Sequence, residues 1–394
     1  MTSFWPTCVS QLCRQDRGHR RLCRRRYPSL ADHFRFRRIY GALLPISLGI
    51  SLFGCTPPPM LNYDTAMPAQ TMSLVQAPEV KDGRARFREI FCALLQSEPG
   101  ADDSSCSHLL HVLSDEPRAT APFRVLPAHD PKIALLFVPG LFSDCAIEWV
   151  APFRSAIERL RNLGYTAEAI PVSGRSGPAH NTPIIADAIR RKLVQGHEQV
   201  ALIGHSKGAV DSLAFLDAYP DLAVHVVALA SVAGAINGSP LGDALSDLYS
   251  GRLAVLDNSL CPPGDGQAVS SLRRAERLTW LGNHRLSGAT RFYSVVAFTS
   301  YEQMHFPLRV TYNSLAEIDP RNDGQLLHFD QVIPGATLLG YANADHWAVA
   351  SDIEKESPLT ATLVTGNFAY PNAILTEALV LYMLEDLEKS KATP

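Results

Sequence analysis

From residue 131 onward the chain alternates between short apolar runs and longer amphipathic stretches. Lys132 to Val138, Thr166 to Val172, Gln199 to Ile203, His225 to Ala233, Arg291 to Phe298 and Gly335 to Tyr341 have the length of strands, and several are apolar almost throughout. Such runs suit strands buried on both faces. Between them, Pro152 to Leu163, Thr182 to Leu193 and the stretch from Ala209 read as helices, and Pro371 to Leu387 as a long closing helix. Strands separated by helices return in the same direction, so the pattern predicts an α/β domain over 131–394 with a mainly parallel sheet and helices on both faces. Asn237 to Ser287 breaks the rhythm with Pro, Gly and short amphipathic pieces, which predicts a cap insertion at about 237–287.

Upstream, Phe87, Ile90, Phe91, Leu94 and Leu95 fall at helical spacing, and a second short helix is expected from Ser105 to Leu113. The two form a helical hairpin and lead-in over 85–130. The hairpin is preceded by Thr56-Pro57-Pro58-Pro59 and a polar stretch with Pro68 and Pro78, a composition that keeps a chain extended. Residues 55–84 are therefore expected to be a Pro-rich tether.

Composition excludes intrinsic disorder for the whole, at 46% hydrophobic and 19% charged residues. Charge changes the picture more. Residues 1–54 hold ten Arg and no Lys against Asp16 and Asp32, which leaves 26 basic and 37 acidic residues for the remainder, a net charge of −11. A net-acidic body argues against nucleic acid as its partner. Within the basic head, Arg35, Arg37 and Arg38 precede the fifteen uncharged residues Ile39 to Phe53. That stretch is short for a membrane span and has the length of a signal-peptide apolar region. Its end, Leu52-Phe53-Gly54-Cys55, resembles the lipobox of bacterial lipoproteins, which implies a lipid on Cys55, a signal peptide within 1–54 and a place in the bacterial cell envelope. Thr56 after the cysteine favours the periplasmic side of the outer membrane by the same resemblance. Residues 1–34 are superfluous to such a signal.

Cys8, Cys13 and Cys23 lack paired metal-ligand spacing, so no metal site is expected there. In an exported protein Cys92 and Cys106, one on each hairpin helix, are expected to be bonded, closing a loop worth ~3 kcal/mol. Cys145 and Cys261 are a second possible pair that nothing in the sequence brings together.

The chemistry centres on Gly204-His205-Ser206-Lys207-Gly208, which joins the run Gln199 to Ile203 to the helix after it. Strand, sharp turn and helix crowd the backbone at the two outer positions, which therefore lack side chains, and the strain aims the Ser206 hydroxyl outward. A serine hydroxyl needs a base to take its proton and an acid to orient that base. His346, in Asp345-His346-Trp347 after the strand Gly335 to Tyr341, is the base expected, with His284, His305 and His328 less well placed. Asp323, in Asn322-Asp323-Gly324, is the acid expected, ahead of Asp319 and Asp330; Asp345 is disfavoured because adjacent side chains point apart. Val138-Pro139-Gly140-Leu141-Phe142 follows the first strand, where the Leu141 N–H and the Lys207 N–H are expected to converge on a developing oxyanion.

Taken together, strand-Pro-Gly-Leu, Gly-His-Ser-Lys-Gly, Asn-Asp-Gly and Asp-His-Trp resemble the α/β-hydrolase superfamily, close to the bacterial lipases and esterases, over about Pro131 to Leu387. The resemblance implies hydrolysis of carboxylic esters, lipid or other acyl, through a serine ester, with no metal and no cofactor. Two departures bear on substrate: many lipases have His-Gly at Pro139-Gly140, and Lys207 is unusual beside the serine. An acyltransferase using the same three residues, and a non-catalytic binding module on the same fold, are the competing readings.

Overall fold

All six residues of β3 (Ile133–Val138) are buried, and their side chains alternate between two cores, one on each face of the sheet. Ile133, Leu135 and Phe137 pack with Phe87 and Phe91 of α1 (Arg84–Gln96), Ile157 and Leu160 of α3 (Arg154–Asn162), and Leu375 and Leu379 of α10 (Asn372–Lys391). Ala134, Leu136 and Val138 face Ile185 and Ile189 of α4 (Pro178–Val194) and Leu213 of α5 (Lys207–Ala218). This two-sided burial is why the strands read as continuous apolar runs.

The computed structural model describes residues 79–98, 105–112, 116, 132–145, 151–248, 262–286, 288–353 and 369–391. The expectations for the basic head, the apolar stretch, Cys55 and most of the tether lie outside the described residues, as does Cys261.

Among the described residues the sheet has eight strands. β3 lies between β4 (Ala167–Ala169) and β5 (Gln199–His205), followed by β6 (Val226–Val232), β7 (Arg291–Phe298), β8 (Thr337–Asn343) and the short edge strand β1 (Lys81–Asp82). These pairings are all parallel. The mainly parallel α/β architecture thus agrees with the sequence pattern, and α6 (Pro220–Ala223) is a short turn of helix leading to β6.

Three elements depart from expectation. The second hairpin helix, α2 (Ser105–Leu109), stops four residues early, and β2 (Leu110–His111) pairs antiparallel with β8. The Arg88 guanidinium donates to the carbonyls of Leu110 (3.1 Å) and His111 (2.7 Å), binding that backbone in the extended form. At the other end, Lys81–Asp82, within the stretch read as tether, already joins the sheet beside Thr337 and Leu338. The third departure is α9 (Leu308–Ala316), where only Leu308, Tyr312 and Leu315 are buried; one buried stripe carries little periodicity.

The hairpin is locked to the body from several sides. Cys92 and Cys106 form a disulfide across α1 and α2 with their Cα atoms 5.4 Å apart. Arg86 pairs with Glu385 of α10 at 2.7 Å, and Glu98, two residues past α1, pairs with Arg159 of α3 at 2.7 Å. Cys145 is also disulfide-bonded. Within 237–287, the stretch expected to form a cap, lie α7 (Pro240–Leu248), the 3-10 turn Ser270–Leu272 and α8 (Arg274–Asn283). No helix among the described residues is long and apolar enough to cross a membrane.

Candidate active site

β5 ends at His205 and α5 begins at Lys207, so Ser206 alone makes the turn, with φ 55° and ψ −124°. This region is costly for a residue with a side chain and persists only where packing enforces it. The flanking glycines show how tight that packing is. A Cβ on Gly204 would lie 2.5 Å from the Ala209 nitrogen, and one on Gly208 would lie 1.9 Å from the Val138 carbonyl oxygen. Gly140, in the loop after β3, is similarly excluded from a side chain by the Ser206 Cβ at 2.8 Å.

The loop after β8 carries His346 to the serine. Its Nε2 is 2.8 Å from the Ser206 Oγ and its Nδ1 is 2.7 Å from Asp323 Oδ2. A carboxylate only accepts, so Nδ1 carries the hydrogen and Nε2 is left to accept from the hydroxyl. Asp323 is wholly buried, and its other oxygen Oδ1 accepts the N–H groups of Gln325 (2.8 Å) and Leu326 (2.7 Å), a turn that Gly324 permits at φ +89°. The structure therefore brings Ser206, His346 and Asp323 together. It does not bring the other acids: Asp319 is held by Arg321 at 2.8 Å and Asp330 by Arg274 at 3.1 Å. Burial pushes the Asp330 carboxyl up to about 7, with Arg274 and Asn237 pulling against it.

Four further residues hold His346 and Asp323 in place, a role the sequence pattern assigns to none of them. His205 Nε2 donates to the His346 carbonyl at 2.8 Å, and burial, reinforced by His346, drives the His205 imidazole down to about 3. It stays neutral and adds no charge beside His346. Gln331 exchanges two hydrogen bonds with the Ala297 backbone (2.7 and 2.8 Å) and donates to Asp323 Oδ2 at 3.3 Å. Asp345 takes the N–H groups of Trp347 (3.0 Å) and Ala348 (2.9 Å) on Oδ1, while Oδ2 receives the His305 N–H (2.7 Å) and faces His305 Nδ1 (2.5 Å). Burial alone would raise the Asp345 carboxyl, but His305 and these amides hold it below the usual range. A second Asp–His pair thus clamps the turn that carries His346. Side-chain contacts across 40 residues leave no periodic signal, which is why only the adjacency of Asp345 and His346 was visible.

Beneath the turn, the Lys207 ammonium is buried and donates to Asp211 Oδ2 at 2.7 Å, one turn along α5. Asn181 of α4 donates to the same oxygen at 2.8 Å. Burial raises the Asp211 carboxyl against the opposing pull of Lys207, Asn181 and Arg277, and burial lowers the Arg277 guanidinium to about 10 against the charge of Asp211.

A cavity of about 300 Å³ opens at Ser206. Leu141 and Phe142 come from the loop after β3, Leu241 and Leu245 from α7, Leu272 from the 3-10 turn, and Leu308 from α9. Among the described residues that line it, none has a charged side chain. Among the described residues, no cluster of three or more His, Cys, Asp or Glu side chains is arranged to hold a metal ion.

A parallel sheet between two helical layers, with a strained serine between a central strand and its helix, is the architecture of the α/β-hydrolases. The solved structures extend this. A metagenomic carboxyl esterase, MGS0156, is 37% identical, covers 82% of this chain and 97% of its own, and superposes with a TM-score of 0.72. The mature Bacillus licheniformis lipase BlEst2 is 23% identical over 60% of this chain and 93% of its own, with a TM-score of 0.47. No family model matches the chain, and no curated protein matches it significantly. On the similarity to the carboxyl esterase, this chain belongs to the carboxyl esterases of the α/β-hydrolase fold.

Proposed function

We propose that the protein hydrolyses carboxylic esters with an apolar acyl chain, Ser206 acting as nucleophile, His346 as base and then acid, and Asp323 as the group that orients and stabilises the imidazole. The observation that carries this reading is the pair of hydrogen bonds from Asp323 through His346 to Ser206 at the mouth of an uncharged cavity. In the first half-reaction Ser206 Oγ attacks the ester carbonyl carbon while its proton passes to His346 Nε2. The N–H groups of Leu141 and Lys207 receive the oxyanion, and collapse expels the alcohol, which takes the proton from Nε2. In the second, His346 deprotonates a water that attacks the acyl-serine, and the carboxylic acid leaves as Ser206 recovers its proton. Asp323 accepts from Nδ1 and offsets the charge of the imidazolium as it forms, while its Oδ1 accepts two backbone N–H groups.

The apolar lining supports seating the acyl chain in the cavity, because burying each CH₂ there favours the transition state by ~0.8 kcal/mol, about 4-fold in rate. In a series of nitrophenyl esters, kcat/KM is expected to rise with chain length until the cavity is filled. Leu245→Trp, which narrows the cavity from α7, should move the maximum to shorter chains. A flat series, or one that Leu245→Trp leaves unchanged, would contradict this assignment of the acyl site.

The lipobox-like end at Cys55 supports a second part of the proposal: the enzyme is tethered by lipid to the bacterial cell envelope, on the periplasmic side of the outer membrane. Several acyl chains at ~0.8 kcal/mol per buried CH₂ make release negligible. A clickable palmitate analogue should label the wild type and not Cys55→Ser; label retained in the mutant would reject the anchor.

A further inference from the structure

Lys207 stands next to the nucleophile, yet its charged end points into the protein rather than toward a substrate: its side chain is 1% exposed and its partner Asp211 is wholly buried. A buried ion pair is an expensive way to gain stability, since desolvation of both charges offsets most of their attraction. Where its hydrogen bonds lead is therefore informative. Asp211 Oδ2 receives both the Lys207 ammonium (2.7 Å) and the Asn181 amide (2.8 Å). The same Asn181 amide donates to the Ser173 carbonyl (3.0 Å), and its Oδ1 accepts the Ser173 N–H (3.0 Å), closing a two-bond ring with that residue. The next residue, Gly174, accepts the Phe142 N–H at 3.1 Å. It must be glycine, because a Cβ there would lie 2.5 Å from the Phe142 nitrogen and 2.6 Å from the Ser143 nitrogen. The loop Leu141 to Ser143 therefore rests directly on Gly174.

These contacts form one continuous path from Lys207 to the residue after Leu141, through Asp211, Asn181, Ser173 and Gly174. One end is Lys207 and the other, Phe142, adjoins Leu141, so the path links the two residues whose backbone N–H groups are assigned to the oxyanion in the proposed mechanism, on which this inference rests. The two donors come from separate elements, the loop after β3 and the first residue of α5. An oxyanion site works only if both are held at a fixed spacing, since an error of a few tenths of an ångström weakens both bonds in the transition state.

We infer that Asn181, with the Lys207–Asp211 ion pair, is a positioning brace that fixes the spacing between the two oxyanion donors. It is a role for α4 and for the unusual lysine that leaves the proton path through His346 and Asp323 untouched. Arg277, which reaches Ile236 O from cap helix α8 (3.1 Å), adds its charge opposite Asp211 and ties the cap into the same field.

The test uses the full-length enzyme and four proteins: wild type, Asn181→Ser, Asp211→Asn and, as a control, Lys192→Met, which removes the Lys192–Glu168 ion pair at edge strand β4. Asn181→Ser leaves the Lys207–Asp211 pair in place, so it remains informative if Asp211→Asn folds poorly. For each, kcat and KM are measured on one nitrophenyl ester, together with the inhibition constant of a trifluoromethyl ketone, which adds reversibly to the serine and places an oxyanion in the site. Both brace variants should lower kcat on the order of 10- to 100-fold with KM within about 2-fold, and raise the ketone constant by a matching factor. The acid limb of the kcat/KM profile should stay where the wild type has it, because His346 is unaltered. Lys192→Met should leave kcat and the ketone constant unchanged.

A loss of kcat in Asn181→Ser with no change in ketone affinity, or a displaced acid limb, would overturn the brace while leaving the ester hydrolase reading intact. So would wild-type kinetics in Asn181→Ser. A wild type that neither turns over the ester nor binds the ketone would overturn both.

Discussion

Replacing Ser206 or His346 by alanine is expected to lower kcat by on the order of 10⁴-fold or more, while KM changes little. The magnitude follows from the chemistry: without Oγ there is no acyl-serine, and without the imidazole the hydroxyl must lose its proton to water. Asp323→Asn should cost on the order of 10³- to 10⁴-fold, because an amide at that position favours the imidazole tautomer whose Nε2 carries the hydrogen and cannot accept. His328→Ala separates this role from a structural one. The His328 ring faces the Arg321 carbonyl, with Asp319 3.9 Å away, and burial holds it down to about 4, so its removal should lower stability and spare turnover. Circular dichroism melts alongside kinetics check the distinction. Equal losses from His328→Ala and His346→Ala would contradict the assignment of the base.

Gly208→Ala is expected to destabilise the protein by roughly 3 kcal/mol or more, lowering Tm by roughly 6–12 °C, and to abolish most activity. Its Cβ would sit 1.9 Å from the Val138 carbonyl oxygen, 2.6 Å from the Val138 carbonyl carbon and 2.7 Å from the Pro139 oxygen. All three are backbone atoms, so no side-chain rotation relieves the clash and the N-terminus of α5 has to move away from β3. That movement separates Lys207 from the loop bearing Leu141. Gly288→Ala is the matched comparison, since a Cβ there meets nothing within 4 Å and the change should be close to neutral. A Tm for Gly208→Ala within a degree or two of wild type would show that the close approach of helix and strand is not required.

These two sets of residues also mark what the sequence could and could not convey. Gly204, Ser206 and Gly208 were legible because a strand-to-helix reversal imposes its demands on adjacent residues, and a five-residue pattern records them. The strands β3, β5, β6 and β7 were legible because burial on both faces makes them largely apolar. Asp323 was legible for a local reason as well: Gly324 allows the turn that presents it. The hidden parts depend on contacts distant in sequence. Gln331 reads as an ordinary polar residue until β7 brings the Ala297 backbone against it. His305 lay in a segment whose only signal, the single buried stripe of α9, is too sparse for periodicity to separate from a loop. Asn181 and Asp211 look like polar positions on two amphipathic helices, and only the packing of α4 against α5 shows them facing one another beneath the nucleophile. β2 was misread as the end of a helix because two residues are too few for a period of two to emerge against one of 3.6.

The proposed function rests on Ser206 being a hydroxyl made nucleophilic by its surroundings. It is tested most directly by treating the full-length enzyme with a fluorophosphonate and locating the adduct by peptide mass spectrometry. Attack by Ser206 Oγ on phosphorus expels fluoride and leaves a stable phosphonyl serine. One modified peptide containing Ser206, absent from Ser206→Ala and formed far more slowly in His346→Ala, is the result expected. An adduct on a different serine, or undiminished labelling of Ser206→Ala, would contradict it.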